Sequence, residues 1–259
     1  MKQINSPNGR TYEIPGGLRV PSVTSILSVI SKPALVPWAA KQERTLVRAA
    51  AASLWYETFE DHYQTQAQYL AALDEKIGTQ RAHQKLVDEA SDIGSRIHDR
   101  IDRTLRSERG EGLVEDPPLE GAAGVGYAAW EQWRSTTTFV PTLTERIVYS
   151  QEFGYAGTLD WFGTLNGAPT LGDWKTSSAI YPEAKMQVAA YAMAMIEMGL
   201  ADTGMNGCIV RIPKTIGKDD PCETVSISWI ELCEHFCVFR SALDLYKWQA
   251  KQRLKLNKN

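Results

Sequence analysis

Cysteine is scarce and poorly placed for a zinc ribbon or a redox pair. Cys208, Cys222, Cys233 and Cys237 all fall in the last quarter of the chain, and no two have C-x-x-C spacing. Reduced thiols buried in the core are therefore expected, with Cys233 and Cys237 one helical turn apart. Long apolar runs are missing too. The longest, Val188 to Ile196, has nine residues, far short of the roughly 20 that a membrane helix needs. Nothing after Met1-Lys2-Gln3-Ile4-Asn5-Ser6-Pro7 has the apolar heart of a secretory leader, so a cytoplasmic location is expected. Nor does one sign of charge dominate: 28 Lys+Arg stand against 31 Asp+Glu, a net charge of −3. That excludes a histone-like basic coat. It leaves room for a nucleic-acid partner, since a local basic groove is enough.

What remains is an ordinary globular composition, 43% hydrophobic and 23% charged, over a length of 259 residues that can bury a sizeable core. The front of the chain reads as helical. Pro21-Ser22-Val23-Thr24-Ser25 offers hydroxyl caps before Ile26-Leu27. Helical spacing of apolar residues then recurs over 34–59, 65–76, 80–106 and 125–136, with a loop rich in Gly, Pro and acid at 108–124. Behind it the pattern turns to short β-prone runs at 142–150, 157–165, 170–175, 208–212 and 224–228. A helix over 182–198 with Pro at its first turn lies among them, and a long helix follows from Trp229. The expected fold is an α/β core, residues 141–259, behind an all-helical appendage, residues 1–140.

Asn166-Gly167 is the strongest hairpin signal in the chain. A two-residue loop there sets Asp160 directly opposite Asp173, on one face of the sheet, as a non-hydrogen-bonded pair about 4.5 Å apart at Cα. Leu159, Trp161, Leu165 and Trp174 fall on the other face. Pro169 takes a non-hydrogen-bonded position, so it breaks no bond within the hairpin. Like charges facing each other across a ladder are destabilising. Lys175, two residues beyond Asp173, shares its face and supplies the opposite sign. This geometry alone leaves two readings: an ion-pair network on a solvated face, or a divalent-cation site whose hard oxygen ligands suit Mg²⁺ or Mn²⁺.

Three more features bear on that choice. His98 shares an inward helix face with Gly94, Ile101 and Leu105, while Arg96, Arg100 and Arg103 point the other way. An inward histidine is either a satisfied core residue or a ligand. Gly94, costing about 1 kcal/mol in a helix, implies that another backbone approaches there. Gln187 and Tyr191, one turn apart, face the same way.

In order along the chain, Gly94-x-x-x-His98, Glu145, Gly157-Thr158-Leu159-Asp160, Asp173-Trp174-Lys175-Thr176 and Gln187-x-x-x-Tyr191 resemble the PD-(D/E)XK nuclease superfamily. The likeness is to its RecB-like branch of stand-alone phage exonucleases and the mitochondrial genome maintenance exonuclease. It runs from about Gly94 to Met198. Pro21-Ser22-Val23-Thr24-Ser25-Ile26-Leu27, with Trp38 and Lys41, also looks like the opening segment of the stand-alone members. Leu159 stands where the superfamily's name has Pro, a departure the RecB-like branch tolerates.

The resemblance implies a restriction-endonuclease-like core, a mixed central sheet flanked by helices. It implies a Mg²⁺ or Mn²⁺ site formed by His98, Asp160, Asp173 and the Trp174 carbonyl, with Glu145 as an auxiliary acid. Lys175 would position or activate the attacking water and stabilise charge at the phosphate, and Gln187 and Tyr191 would brace the site and meet the scissile strand. No iron–sulfur cluster is expected, because the relatives that hold one place a cysteine upstream of the core. The implied activity is a DNA exonuclease on single strands or ends that leaves 5′-phosphates, in a phage or bacterial setting. A recombination or single-strand-binding protein is the further partner implied. A structure-selective endonuclease and a non-catalytic DNA-binding module are the competing readings. For gripping DNA, two features stand out: the basic terminal helix, with Arg240, Lys247, Lys251, Arg253, Lys255 and Lys258 against Asp244 alone, and the helical front half. With Arg44, Arg48, Trp38, Trp55 and Tyr56, the latter would form an arch over a single strand.

Overall fold

The computed structural model describes residues 1–6, 9–57, 65–112, 117–214 and 221–256. Its element order is β1 (Lys2–Ser6), β2 (Gly9–Glu13), β3 (Arg19–Pro21), α1 (Val23–Leu27), α2 (Leu35–Glu57), α3 (Gln66–Ile77), α4 (Ala82–Glu108) and α5 (Gly121–Ser135). Then come β4 (Phe139–Ser150), β5 (Tyr155–Leu165), β6 (Ala168–Lys175), α6 (Pro182–Glu197), β7 (Asn206–Arg211), β8 (Glu223–Ile227) and α7 (Trp229–Leu256). The chain is thus α/β, built on a mixed five-stranded sheet ordered β4-β5-β6-β7-β8 with helices on its flanks. Among the described residues no helix is long and apolar enough to cross a membrane.

The hairpin expected at Asn166-Gly167 is present. Both turn residues have positive φ, 52° and 82°, as a two-residue hairpin loop demands. Leu165 pairs with Ala168 and the register runs unbroken to Trp161 opposite Gly172. From β6 the chain crosses over through α6 and returns as β7, parallel to β6, before β8 closes the edge antiparallel. Such a crossover needs a helix because parallel neighbours cannot be joined by a tight turn.

The apolar run noted in the sequence explains itself in α6. From Val188 to Ala192 every side chain is buried, as are Ala194 and Met195. A helix apolar all round has no solvent face to keep, and α6 is covered by the sheet and by Leu232, Phe239 and Leu243 of α7. α5 packs through Trp130 and Trp133, which meet Trp174 edge-on at centroid distances of 6.2 and 5.4 Å. Trp161 and Phe139 complete this aromatic layer. Of the hairpin's expected core residues, Leu159, Trp161 and Trp174 are buried and Leu165 is half-buried.

Three expectations need correction. Residues 2–6, 9–13 and 19–21 are strands and not helix. They form a three-stranded antiparallel sheet, β1-β2-β3, whose Tyr12, Ile14 and Val20 pack on Ala156 of β5. The division also does not fall at residue 140. Residues 1–30 and 94–259 form one unit and 31–93 another, because Ile97 of α4 packs against α5 and Trp130 and Trp133 belong to the sheet's own core. Finally, only Cys208 of the four cysteines is buried; Cys222 and Cys233 are half-buried and Cys237 is exposed. Helical spacing put Cys237 one turn from Cys233 but could not say which face α7 turns inward.

Gly172 has no room for a side chain: a Cβ there would lie 1.8 Å from the Trp161 ring. Overpacking of this severity costs about 2–3 kcal/mol. Gly172→Ala should therefore lower the urea midpoint with the denaturant slope unchanged; equal midpoints for the two proteins would refute this packing.

Candidate metal centre

Three adjacent strands bring three acids into one row. Thr144–Trp161 and Arg146–Leu159 are ladder pairs, so Glu145 between them stands opposite Asp160. Continuing the hairpin register one step beyond Trp161–Gly172 sets Asp160 opposite Asp173. Neither acid pair is itself part of the ladder. β5 and β6 part at this row, their ladder ending at Trp161–Gly172, whereas β4 and β5 remain paired on both sides of it. Glu145 also has φ 46°, a left-handed conformation that costs a non-glycine residue on the order of 1 kcal/mol. No residue signal around Glu145 announced that strain.

The parted strands leave backbone groups that the acids satisfy. Asp160 Oδ2 accepts the Trp174 N–H at 2.7 Å. His98, projected from α4, brings Nδ1 to 3.7 Å from the same oxygen, and its ring also donates toward the Trp174 carbonyl. Ligand atoms of His98, Glu145 and Asp160 all lie within 4.8 Å of one another. Asp173 is outside that trio. Its Oδ2 lies 2.6 Å from Lys175 Nζ and is buried with no hydrogen bond of good geometry, while Oδ1 accepts from Gln187 Nε2 at 2.9 Å. Gln187 Oε1 in turn accepts from Lys175 at 3.1 Å, and its Nε2 reaches the Tyr191 hydroxyl at 3.3 Å. One amide thus fixes Asp173, Lys175 and Tyr191 together.

Two glycines make the approach possible. A Cβ at Gly157 would meet the Tyr191 ring at 2.3 Å, and one at Gly94 would meet Thr176 Oγ1 at 2.7 Å. The neighbour that Gly94 admits is therefore a side chain, where a backbone was expected. It is Thr176, directly after Lys175, so this contact anchors α4 beside the end of β6.

Asp160 and Asp173 do not occupy a solvated face, whereas Glu145 is exposed. Asp173 is 1% exposed, and the Asp160 side chain is 12% exposed. Burial pushes both carboxyls up to about 6, although Lys175 pulls them down. Burial alone would lower Lys175, but Asp173 and Asp160 override it and hold its ammonium above the usual lysine range. Burial, then the nearby Lys175 charge, lowers His98 to about 4. Glu145 is pushed up to about 8 by the surrounding chain and then by Asp160, Asp102 and Asp99. Its side chain keeps an exposed edge, where solvent screens part of that field, so the upward direction is the firm conclusion. Asp99 and Asp102 were not singled out in the sequence. Their signal was position, one and four residues after His98 on the same helix.

This donor set fits a divalent cation. Ligands about 2.1 Å from one ion lie at most about 4.2 Å apart, so the trio would close by a few tenths of an ångström on binding. Carboxylates, a carbonyl and one imidazole suit Mn²⁺ or Mg²⁺.

Of the other expected features, Arg100 lies over the Tyr127 ring at 5.7 Å and donates to the Pro117 carbonyl. It is a packing group and not merely solvated. In the terminal helix Arg240 covers Phe153 at 5.0 Å and Lys247 donates to the Phe153 carbonyl, so two of those cations hold the turn before β5. Lys258 and the Tyr56 side chain lie outside the described residues. Trp55 is 65% exposed and Trp38 meets His83 edge-on. No protein-family model matches the chain, and no curated protein matches it significantly.

An aspartate raised in the folded state binds its proton more tightly there than in the unfolded chain. Its contribution to stability is therefore lost as pH rises from about 4 through about 6. Asp160→Asn keeps an acceptor for the Trp174 N–H and removes that charge. In EDTA at pH 7 it should melt higher than wild type by about 5 °C, from a two-unit shift worth about 3 kcal/mol. The gap should close toward pH 5. A variant that melts lower at pH 7 would contradict the electrostatics described.

Proposed function

We propose that this protein is a Mg²⁺- or Mn²⁺-dependent deoxyribonuclease, an exonuclease acting on single strands or DNA ends in recombination, repair or replication. One observation carries the reading. Asp160 and Asp173, both largely buried, share the single Lys175 ammonium, and His98 and the more exposed Glu145 bring ligand atoms within 4.8 Å of Asp160; such a gathering of hard ligands around surplus negative charge suits a divalent cation. The order of the residues along the chain and their arrival at one point in space support a restriction-endonuclease-like core of the RecB-like kind. The deficiency of positive charge also argues against a module that merely binds DNA, which would have no use for a buried anionic cluster.

In this reading Asp160, Asp173, Glu145, His98 and the Trp174 carbonyl hold the cation. When bound, it supplies an acidified water and an electrophile for a phosphate oxygen. Lys175 stays protonated, because two aspartates stabilise its charge. Its ammonium is placed to position the attacking water and to stabilise the charge that builds on the phosphate. Gln187 orients both Asp173 and Lys175, and Tyr191 braces Gln187.

The test is cleavage of end-labelled linear single-stranded DNA beside a circular control, with Mg²⁺, Mn²⁺ or EDTA. Wild type should consume only the linear strand, and only with metal. Asp173→Ala should be inactive. Lys175→Ala should lose at least about 100-fold while binding Mn²⁺ no more weakly than wild type. Cutting of the circle would make it an endonuclease. No cleavage of either form would refute the nuclease reading.

A further inference from the structure

The segment Pro21-Ser22-Val23-Thr24-Ser25-Ile26-Leu27 has no part in the cation site, yet it is built with care. Ser22 caps α1 by accepting the Ser25 N–H at 2.9 Å. Ser25 Oγ then clasps Arg10 from both sides, accepting its N–H at 3.1 Å and donating to its carbonyl at 3.1 Å. Gly9, at φ 114°, admits that hydroxyl; a Cβ would meet it at 2.9 Å. The outcome of these contacts is the position of one exposed arginine.

Arg10 lines an open cleft of about 370 Å³ together with Thr24, Ser28, Tyr246, Gln249 and Arg253, between β2, α1 and the end of α7. No carboxylate lines it, in a chain whose acids outnumber its bases. Among the described residues neither Arg10 nor Arg253 is ion-paired. Two guanidiniums and the Gln249 amide around an open trough are donors that phosphate oxygens accept from, and a tyrosine adds a surface for a base.

The cleft also communicates with the cation site. Arg10 shares a face of β2 with Tyr12, and the Tyr12 hydroxyl is 3.0 Å from Thr158 Oγ1, two residues before Asp160. Arg10 is close enough to Glu145 for its charge to be felt there.

We propose that this cleft binds backbone phosphates of the nucleic-acid strand whose scissile bond lies at the cation site, with Arg10 and Arg253 as the two phosphate-contacting groups. This rests on the nuclease reading and adds the path of the strand to it. It also gives the basic end of α7 a defined role.

The test is fluorescence anisotropy of labelled single-stranded oligothymidylate in EDTA over a range of KCl, with wild type, Arg10→Ala, Arg253→Ala and the double variant. A 5′-phosphorylated strand, an unphosphorylated strand and a circle separate a terminal phosphate from internal ones. Each substitution should weaken binding about tenfold and lower the salt slope by about 0.7. Equal losses on all three strands mean internal phosphates; a loss confined to the 5′-phosphorylated strand moves the contact to the terminus and overturns the backbone assignment. Unchanged affinity and slope overturn the cleft altogether. Metal-dependent hydrolysis of thymidine 5′-p-nitrophenyl phosphate by the wild type, an ester with a single phosphate, reports on the cation site alone. If wild type itself cannot hydrolyse that ester or DNA, the nuclease reading fails. If it does while the variants bind like wild type, only the cleft fails.

Discussion

Three carboxylates on three neighbouring strands must be held together against their own repulsion. The β5–β6 ladder ends just before their row, while β4 and β5 stay paired on either side of it. The Asn166-Gly167 turn fixes the register that brings Asp160 level with Asp173, and the β4–β5 register brings in Glu145. Lys175 neutralises one charge, and the freed Trp174 N–H finds Asp160. The strained Glu145 backbone belongs to the same compromise. The neighbours then follow: Gly157 gives way to Tyr191, Gly94 to Thr176, and α4 comes close enough to deliver His98.

Much of this was legible in the sequence because a two-residue hairpin is the most deterministic local structure a chain has. Once Asn166 and Gly167 are the loop, every cross-strand partner is fixed by counting, and one face of the pair is fixed with it. The long helices and the five core strands were likewise visible from periodicity. Glu145 was harder. Its place depends on a long-range pairing with a bulge between Pro141 and Leu143, so no local count reaches it, and its ligand atom lies within 4.8 Å of those of Asp160 and His98.

The N-terminal sheet was missed for a different reason. β1 and β2 are five residues each and half polar, so their alternation is faint beside the helical pattern that follows. The signals were glycines: Gly9, which opens β2, and Gly16-Gly17 before the third strand, all at positive φ. Burial of Tyr12 against β5 stabilises the sheet, and that contact is tertiary. The error in dividing the chain has the same origin. α4 and α5 look like an appendage in sequence, yet Trp130, Trp133 and Ile97 complete the core of the central sheet.

The account stands or falls on a divalent cation bound among His98, Glu145, Asp160 and Asp173. The most direct measurement is electron paramagnetic resonance of Mn²⁺ added to the metal-free protein. Wild type should remove the free-ion signal and show electron spin-echo modulation from an imidazole nitrogen. That modulation should vanish in His98→Ala. An undiminished free Mn²⁺ spectrum, or nitrogen modulation that survives without His98, would contradict it.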